Sequence, residues 1–135
     1  MTASRTRYSV LFMLFAVTSV NYADRATLSI AAPAVAKQFG MNAVVLGYAL
    51  SAFGWAYVIG QLPGGWLLDR FGSKRVYALS ILAWSAVTFL QGFVGFMPAA
   101  TAVAALFALR FLLGLAESPS FPGNGRIVAA WFPTA

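Results

Sequence analysis

The sequence predicts an all-α integral membrane protein with four transmembrane helices. Of its 135 residues, 61% are hydrophobic and only 9% are charged, and the mean hydropathy is +0.79. Four apolar stretches are long enough to cross the ~30 Å hydrocarbon layer as helices. They are also too uniformly apolar for the helices of a soluble core. No stretch has the composition of a soluble domain.

Charge and residue counts exclude several function classes. Nine Lys and Arg residues stand against three Asp and Glu residues. The basic residues are scattered, and Arg25 and Arg110 lie inside apolar runs, so we interpret the excess as membrane topology and expect no nucleic-acid partner. Cys and His are absent, which removes disulfides, thiol catalysis, the usual zinc sites and histidine relays. We expect no metal and no cofactor.

The predicted spans follow one another with short connections. They cover about residues 9–34, 44–68, 76–96 and 101–125, with a charged cytoplasmic loop at 69–75. The end of the fourth span is placed only between Phe121 and Trp131, because Pro119 and Pro122 bend or break a helix there.

Loop charge predicts the orientation. With the N-terminus inside, the cytoplasmic segments hold five basic residues, Arg5, Arg7, Arg70, Lys74 and Arg75, whereas the outer segments hold only Lys37. The positive-inside rule therefore favours a cytoplasmic N-terminus, with residues 1–8 as a short leader. No cleavable signal peptide is evident, because the first apolar run is longer than a signal h-region.

Two adjacent charges, Asp24 and Arg25, interrupt the first span. One charge at the centre of a spanning helix costs about 2.5 to 3.5 kcal/mol on insertion scales, so such residues are usually functional. Neighbours on a helix point about 100° apart and do not face each other. A simple neutralising pair is therefore excluded, and each residue is expected to find another partner.

The fourth span carries a second charged set. Arg110 and Glu117 are seven residues apart, which places them about 10 Å from each other on nearly one face. Partners from another span, water or substrate are therefore expected for both. By its depth in the membrane, Arg110 is expected at about the level of Arg25, facing the same cavity.

The second span shows a face of small and polar residues. Gly54, Tyr57, Gln61 and Gly64 share it, while Phe53, Val58 and Leu62 are expected to lie away from it. Gly60 and Gly64 have a close-packing spacing. Tyr57 is interpreted either as a buried tyrosine bonded to a backbone carbonyl or as a ligand contact.

Residues 65–75, with the sequence GWLLDRFGSKR, resemble the signature between the second and third helices of the major facilitator superfamily. Ser73 stands where the family has a basic residue. The gating motif is then Gly65, Asp69, Arg70, Gly72, Lys74 and Arg75. We expect Gly65 to permit close helix approach, Gly72 a sharp turn, and Asp69 to engage a helix N-terminus or an arginine.

A narrower resemblance is carried by residues 21–25, 51–57, 61–66, 110–117 and 121–124. In these segments the chain resembles the anion-cation symporter branch, and within it bacterial glucarate/galactarate proton symporters. The resemblance implies that Arg25, with Tyr22 and Tyr57, binds a sugar-acid anion. It also implies that Asp24 and Glu117 carry protons and that Arg110 modulates Glu117.

The same resemblance implies the cellular setting. The protein would be a multi-pass symporter of the cell inner membrane, taking up a hexarate such as glucarate or galactarate with a proton. Transporters of this superfamily have twelve spans, so we expect a fragment that lacks the C-terminal helices and is inactive alone. A four-helix efflux homodimer or a noncatalytic membrane fragment are the alternatives. An intramembrane aspartyl hydrolase is disfavoured, because Asp69 lies at the wrong depth to face Asp24.

Overall fold

The computed structural model describes residues 5–132, and all the regular structure in that range is helical. The all-α prediction is therefore confirmed. Residues 1–4 of the predicted leader lie outside the described range, whereas residues 5–8 form the first turn of α1. The helices are α1 (Arg5–Phe39), α2 (Ala43–Phe71), α3 (Ser73–Gln91), a 3-10 turn (Val94–Phe96), α4 (Ala99–Glu117) and α5 (Ser120–Trp131).

Within residues 5–132, three helical stretches are apolar and long enough to cross a membrane: Ala43–Phe71, Ser73–Phe96 and Ala99–Trp131. The 35 residues of α1 have ample length for a crossing, since a helix rises about 1.5 Å per residue. This helix is not among the three because Asn21, Asp24 and Arg25 lower its hydropathy. It continues without a break through Pro33.

The fourth predicted span breaks where its prolines indicated. Helix α4 ends at Glu117, and α5 begins at Ser120. Pro119 cannot donate a backbone hydrogen bond, and its ring crowds the preceding turn. As a result Glu117 is the last residue of its helix, and α5 approaches α1, α2 and α3 as a separate element.

The prediction of a loop at residues 69–75 is wrong. Helix α2 continues to Phe71 and α3 starts at Ser73, which leaves Gly72 as the connection. Gly72 adopts φ +83°, a backbone conformation that glycine reaches without steric cost. The charged residues on either side extend the helices because exposed Asp, Arg and Lys do not prevent helix formation.

Helices α2 and α4 form the tightest pair in the bundle. A Cβ on Gly114 of α4 would lie 2.9 Å from Ala56 Cβ and 3.0 Å from the Tyr57 backbone nitrogen. A Cβ on Gly64 of α2 would lie 3.2 Å from Pro119 Cα. The prediction that Gly65 permits close helix approach is therefore wrong, since a Cβ on Gly65 would meet no described atom within 4 Å. The close approach occurs at Gly64.

Two buried apolar clusters lie along this bundle. One joins Ala49, Val94, Ala102 and Leu106, and the other joins Phe53, Trp84 and Leu113. Large apolar side chains also cover the outside, as at Leu62, which is 85% exposed. Such a surface suits contact with lipid chains rather than water.

Candidate functional site

A charged pair between α1 and α4 forms the centre of the candidate site. Arg25 donates to Glu117 Oε2 from Nη2 at 2.7 Å and from Nε at 3.2 Å. The Glu117 side chain is 1% exposed and that of Arg25 is 29% exposed. The break at Pro119 leaves Glu117 at the end of its helix, where its side chain reaches α1. A partner from another span, as expected for Glu117, is therefore confirmed.

Asp24, the neighbour of Arg25, turns to a different helix. Its Oδ2 accepts a hydrogen bond from Trp84 Nε1 at 3.0 Å and one from Thr88 Oγ1 at 3.4 Å. Both donors lie on α3, one helical turn apart. The two adjacent charges of α1 thus bind α3 and α4 respectively, which confirms that they do not simply neutralise each other.

Aromatic rings surround the Arg25 guanidinium. Its Cζ atom lies 4.7 Å from the centre of the Phe53 ring, 4.9 Å from that of Tyr57 and 5.3 Å from that of Tyr22. Each distance is within the range of a cation–π contact. Tyr22 and Tyr57, both predicted to accompany Arg25, are therefore beside it.

The second intramembrane arginine meets the same group of side chains. Arg110 is 5% exposed, and its Cζ atom lies 4.8 Å from the centre of the Phe53 ring. Arg25 and Arg110 therefore contact one ring, consistent with the expected common depth. Two polar atoms of this group, Arg110 Nε and Glu117 Oε1, are buried without a hydrogen-bond partner among the described residues.

Phe53 is the residue that the sequence interpretation misplaces. The helical pattern puts it away from the functional face of α2, but it is 8% exposed and its ring contacts two guanidinium groups. The face of α2 that packs on α4 is centred on its small buried residues, among them Ala56 and Gly60. Gly54 was predicted to share a face with Gly64, but it makes no close helix contact, since a Cβ on this residue would meet no described atom within 4 Å.

A small polar cavity adjoins Arg25 between α1, α2 and α5. Its volume is about 20 Å³, enough for about one water molecule or one hydroxyl group. The residues that line it are Thr18, Asn21, Tyr22, Arg25, Tyr57, Ser120, Phe121 and Asn124. A complete sugar acid does not fit in this cavity.

Hydrogen bonds tie the cavity to the Gly72 end of the bundle. Tyr77 donates to Asn124 Oδ1 at 2.7 Å, and Asn124 Nδ2 donates to Thr18 Oγ1 at 3.1 Å. In the gating motif, Asp69 pairs with Arg126 of α5, which is the arginine partner expected for it. Arg70 lies over the rings of Trp66 and Phe71, and Lys74 and Arg75 are exposed.

Several contact residues carried no assigned role in the sequence interpretation. Trp84 and Thr88 escaped notice because they are single polar groups in an apolar span. Their spacing of four residues, which places two donors on one face, was the available signal. For Tyr77, Asn124 and Arg126 the sequence offered no comparable signal, because their bonds depend on how α5 turns after Pro119.

Comparisons with known proteins place this arrangement in a family. Residues 14–135 match the model of the Major Facilitator Superfamily. The chain is 66% identical over 97% of its length to the "Probable galactarate/D-glucarate transporter" of Pseudomonas putida, of which it covers 29%. It is 66% identical over 96% of its length to the protein of the same name from Bacillus subtilis (strain 168), covering 28% of it.

A more distant relative is the "D-galactonate transporter" of Escherichia coli O6:H1, which is 43% identical over 96% of this chain, and 29% of that relative is covered. The fold defines a multi-pass helical membrane protein. The chain belongs to the Major Facilitator Superfamily, and the relatives named here are transporters rather than enzymes. This chain spans less than a third of their length.

Proposed function

We propose that these residues form part of a proton-coupled transporter that takes up a sugar-acid anion, with a hexarate such as glucarate or galactarate as substrate. The observation that carries the proposal is the pair between Arg25 and the buried Glu117 carboxylate. A guanidinium that pairs with the Glu117 carboxylate can instead pair with a substrate carboxylate, because its planar fork matches any carboxylate.

In this proposal Arg25 is the substrate anchor. Its guanidinium is only partly buried, and the rings of Tyr22 and Tyr57 lie against it. The phenol hydroxyls of those two tyrosines supply neutral hydrogen bonds to a hydroxyl-rich anion. The relatives named for galactarate and D-glucarate support a diacid of this kind.

Proton coupling follows from competition for Arg25. While Glu117 is ionised, its carboxylate occupies the guanidinium. A proton on Glu117 removes the negative charge from the pair, and the guanidinium becomes available to the substrate carboxylate. Arg110 shares the Phe53 ring with Arg25 and modulates Glu117 through its positive charge. Asp24, held by Trp84 and Thr88, is the second proton-coupling residue of the proposal.

The activity is proposed for a complete transporter that contains this segment, since the chain spans about 29% of the Pseudomonas putida relative. The segment alone is proposed to be inactive, because further helices are needed to enclose the substrate. The proposed setting is the inner membrane with a cytoplasmic N-terminus. Arg126, near the Gly72 turn, adds to the basic residues on the proposed cytoplasmic side.

The anchor role of Arg25 can be tested in a chimera in which residues 14–135 replace the matching segment of the Bacillus subtilis relative. Removing Arg25 alone would leave the Glu117 carboxylate buried and unpaired, which destabilises a protein by about 3–5 kcal/mol. The informative comparison is therefore Glu117→Gln against the double variant Arg25→Gln/Glu117→Gln, since neither leaves a buried carboxylate without its arginine.

We expect the Glu117→Gln chimera to bind glucarate, and the double variant to bind it about 10- to 100-fold more weakly, as loss of a charge-assisted hydrogen bond predicts. Isothermal titration of the purified chimeras measures both affinities. Equal glucarate affinity in the two variants would refute Arg25 as the anchor.

A further inference from the structure

Asn21 is a buried polar residue that the proposed mechanism does not use. Its side chain is 7% exposed, and its Oδ1 atom has no hydrogen-bond partner among residues 5–132. A buried polar atom without a partner costs about 1–3 kcal/mol. Such an atom in a membrane-spanning helix therefore indicates either a buried water or a ligand group that satisfies it.

The position of Asn21 relates it directly to the substrate anchor. It precedes Arg25 by four residues on α1, so the two side chains share a face about 6 Å apart along the axis. Both line the same polar cavity between α1, α2 and α5. A ligand whose carboxylate is held at Arg25 can direct a hydroxyl group of one of its next carbons towards the Asn21 amide.

The size of the cavity limits what Asn21 can meet. At about 20 Å³ it holds one oxygen-sized group and no carbon chain. Across the cavity, the other amide of the lining, Asn124, is already bonded to Tyr77 and Thr18. Besides Tyr22 and Tyr57, which the proposed function already uses, Asn21 and Ser120 are lining groups that can meet a substrate hydroxyl. An amide can both donate to a hydroxyl group and accept from it.

We infer that Asn21, together with the cavity that it lines, recognises one hydroxyl group of the substrate, close to the carboxylate bound by Arg25. This inference rests on the proposed function and extends it to substrate choice. A site that hydrogen-bonds a substrate hydroxyl rejects the analogue that lacks it, because the buried amide is then left unpaired. The chain would therefore select hydroxylated acids over plain diacids of equal length and charge.

The test compares glucarate with adipate, a six-carbon diacid that has no hydroxyl groups. Dissociation constants for both are measured by isothermal titration of the same chimera and of its Asn21→Leu variant, in which an apolar side chain of similar size replaces the amide. We expect the variant to bind glucarate about tenfold more weakly, as loss of one hydrogen bond predicts, and to bind adipate unchanged.

A second variant keeps the result decisive if Asn21→Leu does not fold. Ser120→Ala removes a hydroxyl from the opposite wall of the cavity and should also weaken glucarate binding selectively, by a smaller factor. Its matched control is Ser51→Ala on α2, where the exposed serine bonds to the Tyr48 carbonyl of its own helix. This control should leave both affinities unchanged.

Each outcome has a separate meaning. Selective loss of glucarate binding supports the inference. Equal loss of both ligands, or no loss, overturns it. A parent chimera that binds both ligands equally well also overturns the inference, whereas a parent that binds neither diacid overturns the proposed function itself.

Discussion

At the scale of single residues, the site depends on where two neighbouring charges point. Asp24 and Arg25 are adjacent on α1, yet one is bound by α3 and the other by α4. The sequence predicted that each would need a partner elsewhere, because adjacent helical residues diverge by about 100°. It could not identify Trp84 or Phe53 as those neighbours, since that choice depends on how the helices pack.

The Trp84 hydrogen bond to Asp24 gives a prediction at this scale. Replacing Trp84 by Phe keeps an aromatic ring in the buried cluster and removes the indole donor. The partly buried Asp24 carboxylate then retains only the longer bond from Thr88. We expect the free energy of unfolding to fall by about 1–3 kcal/mol, measured by denaturant unfolding of the purified chimera.

The matched control for this change is Trp55→Phe. Trp55 is 68% exposed on the outer surface of α2, so the same substitution removes no bond within the described residues. We expect it to leave stability unchanged. If both variants unfold alike, the bond from Trp84 to Asp24 contributes nothing to the fold.

At the scale of helices, the sequence predicted where helices exist better than where they touch. The sequence predicted the second, third and fourth spans from their hydropathy and the helix break from Pro119. Both features depend on local composition. The buried face of α2 was misjudged, since Phe53 contacts both arginines and Gly65 makes no close helix contact. The contacts of Phe53 are set by α1 and α4, which are distant from it in the sequence.

Gly114 supplies a prediction about helix packing. A methyl group at this position would overlap the α2 backbone near Phe53 and lie 2.9 Å from Ala56 Cβ. We expect Gly114→Ala to separate α2 from α4 and to destabilise the chimera by about 1–3 kcal/mol, the usual cost of overpacking. Denaturant unfolding measures the change.

Gly54→Ala is the control on the opposite side of α2. A Cβ there would meet nothing within 4 Å, and alanine is favoured over glycine in a helix by roughly 0.5–1 kcal/mol. We therefore expect this variant to be neutral or more stable than the parent. Equal destabilisation by both substitutions would show that the close contact of Gly114 with α2 does not control the result.

At the scale of the whole molecule, charge distribution predicts the membrane orientation. Phe71, next to the Gly72 turn, should face the cytoplasm. Gln38, near the C-terminal end of α1, should face outward. The chain has no cysteine, so single cysteines can be introduced at either position in a chimera whose host cysteines have been removed. An impermeant maleimide added to intact cells should label Gln38→Cys and spare Phe71→Cys. The reverse pattern would contradict the orientation.

The family and the all-α architecture were accessible from sequence because hydropathy and the motif around Gly72 are local signals. The geometry that joins Arg25 to Glu117 was not, because those residues are 92 positions apart and meet only once α1 and α4 are placed side by side. The proposed function depends on that contact, since it would make one guanidinium available either to the protein or to a ligand.

The most direct measurement of the central claim compares two kinds of transport by the Glu117→Gln chimera in vesicles. Without a titratable carboxyl at residue 117, the imposed proton gradient should no longer drive accumulation of labelled glucarate, while exchange of external for internal glucarate should continue through Arg25. Accumulation equal to that of the parent chimera would contradict the account, because Glu117 would then have no part in coupling the proton to the substrate.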